Sequence, residues 1–63
     1  MKEVIELNKW YRVIIDGEDH IVRISGNVIK YAIEDYYDGR LWYVGNLRMC
    51  KLWIIDRRGQ YGL

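Results

Sequence analysis

Five dipeptides suited to chain reversal punctuate this sequence: Asp16-Gly17, Gly26-Asn27, Asp38-Gly39, Gly45-Asn46 and Arg58-Gly59. Gly, and to a lesser degree Asn and Asp, reach positive φ at low cost, so the backbone can turn sharply at each. Asp-Gly and Gly-Asn are favoured in two-residue hairpins, whose primed turns match the twist of paired strands. The segments between them are rich in Val, Ile, Tyr and Trp, which fit a pleated, half-buried surface.

The pattern predicts short antiparallel strands. Glu3–Leu7 is read as the first and Trp10–Ile15 as the second, after a turn at Asn8-Lys9. His20–Ser25 is the third, with His20, Val22 and Ile24 on one face and Ile21 and Arg23 on the other. Asn27–Asp35 and Arg40–Val44 follow. Leu47–Ile55 is read as a sixth strand, because its apolar positions scatter round a helical wheel and form no stripe. The competing reading is a helix capped by Asn46 and stopped at Gly59. The fold class expected is all-β: a five- to six-stranded antiparallel barrel or curved sheet of SH3-like proportions, with at most one short helix. An OB-like barrel suits the strand lengths less well. Closing a sheet removes the exposed edges that so small a chain cannot easily cover.

At 63 residues and 7.7 kDa the chain makes one domain, placed at 1–56, with a flexible tail at 57–63. A chain this size buries only about 60% of its unfolded surface, which excludes a large enclosed active site or a two-domain clamp. The apolar fraction of 51% excludes a disordered segment. No apolar run approaches the roughly 20 residues of a membrane span, so no membrane partner is expected. The start, Met1-Lys2-Glu3, lacks the apolar core of a signal peptide. The single Cys50 cannot make an internal disulfide. These features predict a cytoplasmic protein.

The ionisable clusters suit surface turns better than catalysis. Asp16 to His20 offers carboxylates and an imidazole, but its spacing is not that of a calcium loop, and no metal or other cofactor is expected. Cys50 with His20 lacks a glycine elbow and a third orienting group, so Cys50 is read as a buried small hydrophobe. The expectation is a protein that is not an enzyme.

Aromatic side chains carry more information. The chain has six Tyr and three Trp, more rings than so small a core can bury. Trp53 and one of Trp42 and Tyr43 are expected inside, with at least three rings exposed. Tyr36 and Tyr37, flanked by Glu34 and Asp35, have the composition of a protein-binding surface, to which Trp42 is added. Charge is uneven. Residues 1–39 hold five basic and eight acidic side chains, and residues 40–63 hold five basic and one acidic, giving −3 and +4. Arg40, Arg48, Lys51, Arg57 and Arg58 with Tyr61 supply the materials for phosphate and base contacts. The function expected is a small interaction module, an adaptor or inhibitor that docks on a larger protein as a monomer or homodimer; its size and opening Met1 suggest a stand-alone protein. The alternative is nucleic-acid binding through the basic third and its aromatics.

Overall fold

A computed structural model describes residues 4–26 and 29–58. Four antiparallel strands form one sheet in sequence order: β1 (Tyr11–Ile15), β2 (Glu18–Gly26), β3 (Tyr31–Asp35) and β4 (Leu41–Gly45). One helix, α1 (Leu47–Arg57), follows and packs on the sheet. Compared with the expected five- to six-stranded SH3-like barrel, the sheet is open and has four strands. Two segments account for the difference. Residues 4–7 form no strand, although Ile5 is buried, and Leu47–Ile55 lies within the helix rather than a sixth strand.

The first turn is tighter than the expected strand bounds of Ile15 and His20 allow, because β2 already begins at Glu18. Asp16 (φ 50°) and Gly17 (φ 81°) both lie in the left-handed region, so a two-residue turn joins β1 to β2 with Ile15 opposite Glu18. That turn fixes the register: Tyr11 pairs with Val22 and Val13 with His20. The β2–β3 ladder sets Ile24 against Ile33 and Arg23 against Glu34. The β3–β4 ladder is interrupted. Ile33 pairs with Tyr43 but Glu34 pairs with Leu41, so Trp42 is an extra residue in β4.

Alternation then sorts the side chains. Tyr11, Val13, Val22, Ile24 and Ile33 turn to one face and are buried there with Ile5, Cys50 and Ile54. Trp42, Tyr43, Leu47 and Trp53 pack partly buried against this core. The helix forms because Asn46 caps it: its Oδ1 accepts a hydrogen bond from the Met49 amide at 2.8 Å, and its carbonyl accepts from the Cys50 amide at 3.0 Å. Past α1, Arg58 returns to extended backbone and makes an isolated antiparallel bridge with Val13 at the β1 edge. The remainder of the expected tail, with Tyr61, lies outside the described residues. Among the described residues, no helix is long and apolar enough to cross a membrane.

Candidate interaction surface

The sheet face away from α1 has no cover. It carries Arg12, Ile14, Ile21, Arg23, Ser25, Ala32, Glu34, Leu41 and Val44, none of them buried. Two neighbouring rows of this face build the site. In one, the Arg23 guanidinium lies 4.7 Å from the centre of the Trp10 ring and its Nε donates to Glu34 Oε1 at 3.1 Å. In the other, Arg12 stands opposite Ile21, whose carbonyl accepts from the Tyr36 amide at 2.8 Å. Tyr36 therefore continues the β3 alternation onto the same face.

Its ring meets Trp10 edge-on at 5.0 Å and 89°, and meets Tyr37 at 5.2 Å and 90°. Edge-to-face contacts satisfy the ring quadrupoles and hold three rings in a fixed ridge. Tyr36 and Tyr37 are 57% and 69% exposed. Two exposed rings, where at least three were expected, are present among the described residues, with Trp10 half-buried beside them.

Asp35 organises the turn that presents these rings, from the opposite face. Its side chain is 3% exposed. Oδ1 accepts from the Tyr37 amide at 2.8 Å, and Oδ2 accepts from Trp42 Nε1 and from His20 Nδ1, both at 3.0 Å. A carboxylate only accepts, so His20 carries its proton on Nδ1. The backbone of Asp35 is committed as well: its amide donates to the Arg40 carbonyl and its carbonyl accepts from the Gly39 amide. Burial pushes the Asp35 carboxyl upward. The hydrogen bonds from Trp42, the Tyr37 amide and His20, with the charge of His20, outweigh that and hold it below the usual 3.8.

The residues singled out from sequence therefore divide between the two faces. Glu34, Tyr36 and Tyr37 come together on the open face. Asp35 and Trp42 sit behind them, on the core side, as supports. In an unbroken ladder Trp42 would oppose Glu34 on the open face; the extra residue gives that place to Leu41 and lets the indole reach Asp35. Sequence reasoning missed Trp10 and Arg23. The signal was present, because a two-residue turn at Asp16-Gly17 sets residues 10 and 23 opposite each other.

The basic set is dispersed. The Arg40 guanidinium lies 4.0 Å from the centre of the Trp42 ring, and that of Arg57 lies 4.4 Å from Trp53. Arg58 lies 5.5 Å from Tyr11. Arg48 and Lys51 line a shallow depression on α1 with Leu47 and Leu52. Five cation–π contacts occur among the described residues, where proteins average about one per 70–80 residues. Here guanidinium groups cover aromatic faces, which engages three of the five cations and the rings below them.

Cys50 is fully buried, and burial pushes its thiol upward against a smaller opposing effect of a Gly45 backbone hydrogen bond. Among the described residues, no group of three His, Cys, Asp or Glu side chains is arranged to hold a metal. Compared with protein-family models, curated proteins and solved structures, the chain matches none.

Proposed function

We propose that the chain is a protein-interaction module of the cytoplasm that docks on a larger protein, as an adaptor or inhibitor, through the open face of its sheet. One observation carries this reading: the Trp10–Tyr36–Tyr37 ridge, locked edge to face, lies uncovered beside the Arg23–Glu34 pair. Large rigid rings bury much area on binding and lose little side-chain entropy, and Trp, Tyr and Arg dominate binding hot spots. The half-buried pair contributes about 0–1 kcal/mol to folding and leaves its charges within reach of a partner. A lone buried thiol suits a reducing compartment.

Affinity purification from the source cells tests the reading, with and without nuclease, using the wild-type chain, Tyr37→Ala and Arg57→Glu/Arg58→Glu. The expected result is one stoichiometric protein partner that resists nuclease and survives the arginine reversal. Tyr37→Ala should weaken it by about 1–3 kcal/mol, the cost of truncating an aromatic anchor. Capture that disappears with nuclease, falls steeply with salt and is lost on arginine reversal would instead identify a nucleic-acid binder.

A further inference from the structure

Four of the six arginines lie over aromatic rings, and Arg48 is exposed on α1. Arg12 differs from all of these. It is half-buried on the open face of the sheet and has no ion pair, side-chain hydrogen bond or ring contact among the described residues. Alternation gives it Trp10 and Ile14 as neighbours along the chain, and the register sets Ile21 opposite it on β2. None of the three carries a charge.

The charges nearby do not neutralise it. Arg23 is balanced by Glu34, whose Oε1 accepts from the Arg23 Nε at 3.1 Å. Arg58, bridged to Val13, lies over Tyr11 on the core side. Asp19 is diagonal to Arg12, because Ile14 pairs with Asp19 and Arg12 with Ile21. It is exposed near the hairpin end, and the two form no ion pair. Arg12 therefore places an uncompensated positive charge in an otherwise apolar corner of the face.

That corner adjoins the aromatic ridge. The Trp10 and Tyr36 rings meet across β2, and the Tyr36 amide donates to the Ile21 carbonyl. Neighbouring strands lie about 4.8 Å apart, so Arg12 and Tyr36 stand roughly 10 Å apart with Ile21 between them. An apolar side chain fits against Ile21 there, with the Trp10 indole at one end. A complex that excludes water from this gap strips hydration from the guanidinium, and a charge shut away without a partner weakens binding severely. The complex needs an anion opposite Arg12. A carboxylate matches a single guanidinium in charge and takes two parallel N–H bonds from it, whereas phosphate groups are held by clusters of Arg.

We infer that the protein docked on the open face sets one Asp or Glu carboxylate on Arg12, beside an apolar side chain seated on Ile21 between Trp10 and Tyr36. This rests on the docking reading above and adds the chemistry of what docks. The ridge supplies contact area, and Arg12 selects segments in which an acid follows or precedes the apolar anchor.

Random peptides displayed on phage and selected on the immobilised wild-type chain test it, with synthetic copies of the enriched sequences measured by calorimetry. The expected peptides carry Asp or Glu beside an aliphatic or aromatic residue and lose affinity in Tyr36→Ala. Replacing the peptide's acid by its amide, or making Arg12→Gln, should each weaken binding roughly tenfold or more. Both changes together should cost no more than about twofold beyond either alone, a non-additivity that mere loss of folding cannot produce. Arg12→Glu should instead enrich peptides with Lys or Arg at that place. Asp19→Asn should leave affinity within about twofold; a larger gain would show Arg12 already paired and overturn the inference. Peptides that need Tyr36 but carry no acid, or bind Arg12→Gln equally well, would overturn it and leave the docking reading standing. No enrichment, or peptides indifferent to both Tyr36→Ala and Tyr37→Ala, would overturn the docking reading and this inference with it. Sedimentation velocity of the chain alone covers the remaining occupant: a dimer that the peptides dissociate would put a second copy on this face and overturn the inference.

Discussion

Asp35→Asn tests how the core side of the sheet holds the exposed ring cluster. The change keeps the shape and replaces one oxygen by an amino group. In the wild type one oxygen serves the Tyr37 amide and the other serves both Trp42 Nε1 and His20 Nδ1. The asparagine oxygen can face only one of these sides. Facing Tyr37, it leaves the Trp42 indole, which only donates, against an amino group. Facing Trp42 and His20, it leaves the Tyr37 amide against the amino group. Either way a part-buried donor loses its partner, at about 1–3 kcal/mol, and the remaining hydrogen bonds lose the strengthening that the negative charge gave them. The sum is roughly 2–4 kcal/mol. A domain of this length has on the order of 3–9 kcal/mol in all, so the loss is a large share. Urea denaturation followed by tryptophan fluorescence measures it. With a slope near 1 kcal/mol per M for so small a chain, the midpoint should fall by about 2 M or more. The pH dependence gives a second reading. The folded state holds Asp35 below its usual 3.8, so its contribution is complete above that value and is lost as pH falls through the depressed one. Wild type should therefore lose stability between about pH 5 and pH 2 by an amount that the asparagine variant lacks. A loss under about 1 kcal/mol at neutral pH, or identical acid profiles, would refute the role assigned to Asp35.

Other perturbations separate local from tertiary causes. Asn46→Ala removes the cap of α1 and should cost about 0.5–2 kcal/mol by the same denaturation assay. At Gly26 (φ +147°) an added Cβ would collide with the Lys30 carbonyl oxygen and lie 2.8 Å from Tyr31 Cα, whereas at Gly39 (φ +73°) it would meet nothing within 4 Å. Gly26→Ala should therefore cost more than about 2 kcal/mol and Gly39→Ala about 1 kcal/mol; equal losses would contradict the backbone clash. Cys50→Ala should cost roughly 1–2 kcal/mol through the space it leaves, and native Cys50 should react with thiol reagents only as fast as the protein opens.

The four strands of the sheet were legible because their signals are local. Asp16-Gly17 dictates a two-residue turn by backbone sterics alone, and that turn carries the register of β1 on β2 with it. The alternation of His20, Val22 and Ile24 against Ile21 and Arg23 follows from the pleat and needs nothing else. The same register would have placed Trp10 over Arg23 had it been carried one pair further. Tyr36 and Tyr37 were legible as exposed because they flank a turn among carboxylates. The tertiary structure decided the rest. Leu47–Ile55 is apolar on both sides, so its periodicity favours neither strand nor helix; the capping Asn46 and the need to cover Val13, Val22, Ile24 and Ile33 make it a helix. Trp42 is sent inward by one extra residue in β4, whereas Asp35 follows Tyr31 and Ile33 to the core side by alternation alone. Nothing in the sequence around Trp42 marks that bulge, because it is set by how β4 meets β3 and α1. The division has one physical reason. Turn geometry and side-chain alternation act within a few residues, whereas a bulge and a two-faced helix are settled by partners distant in the chain.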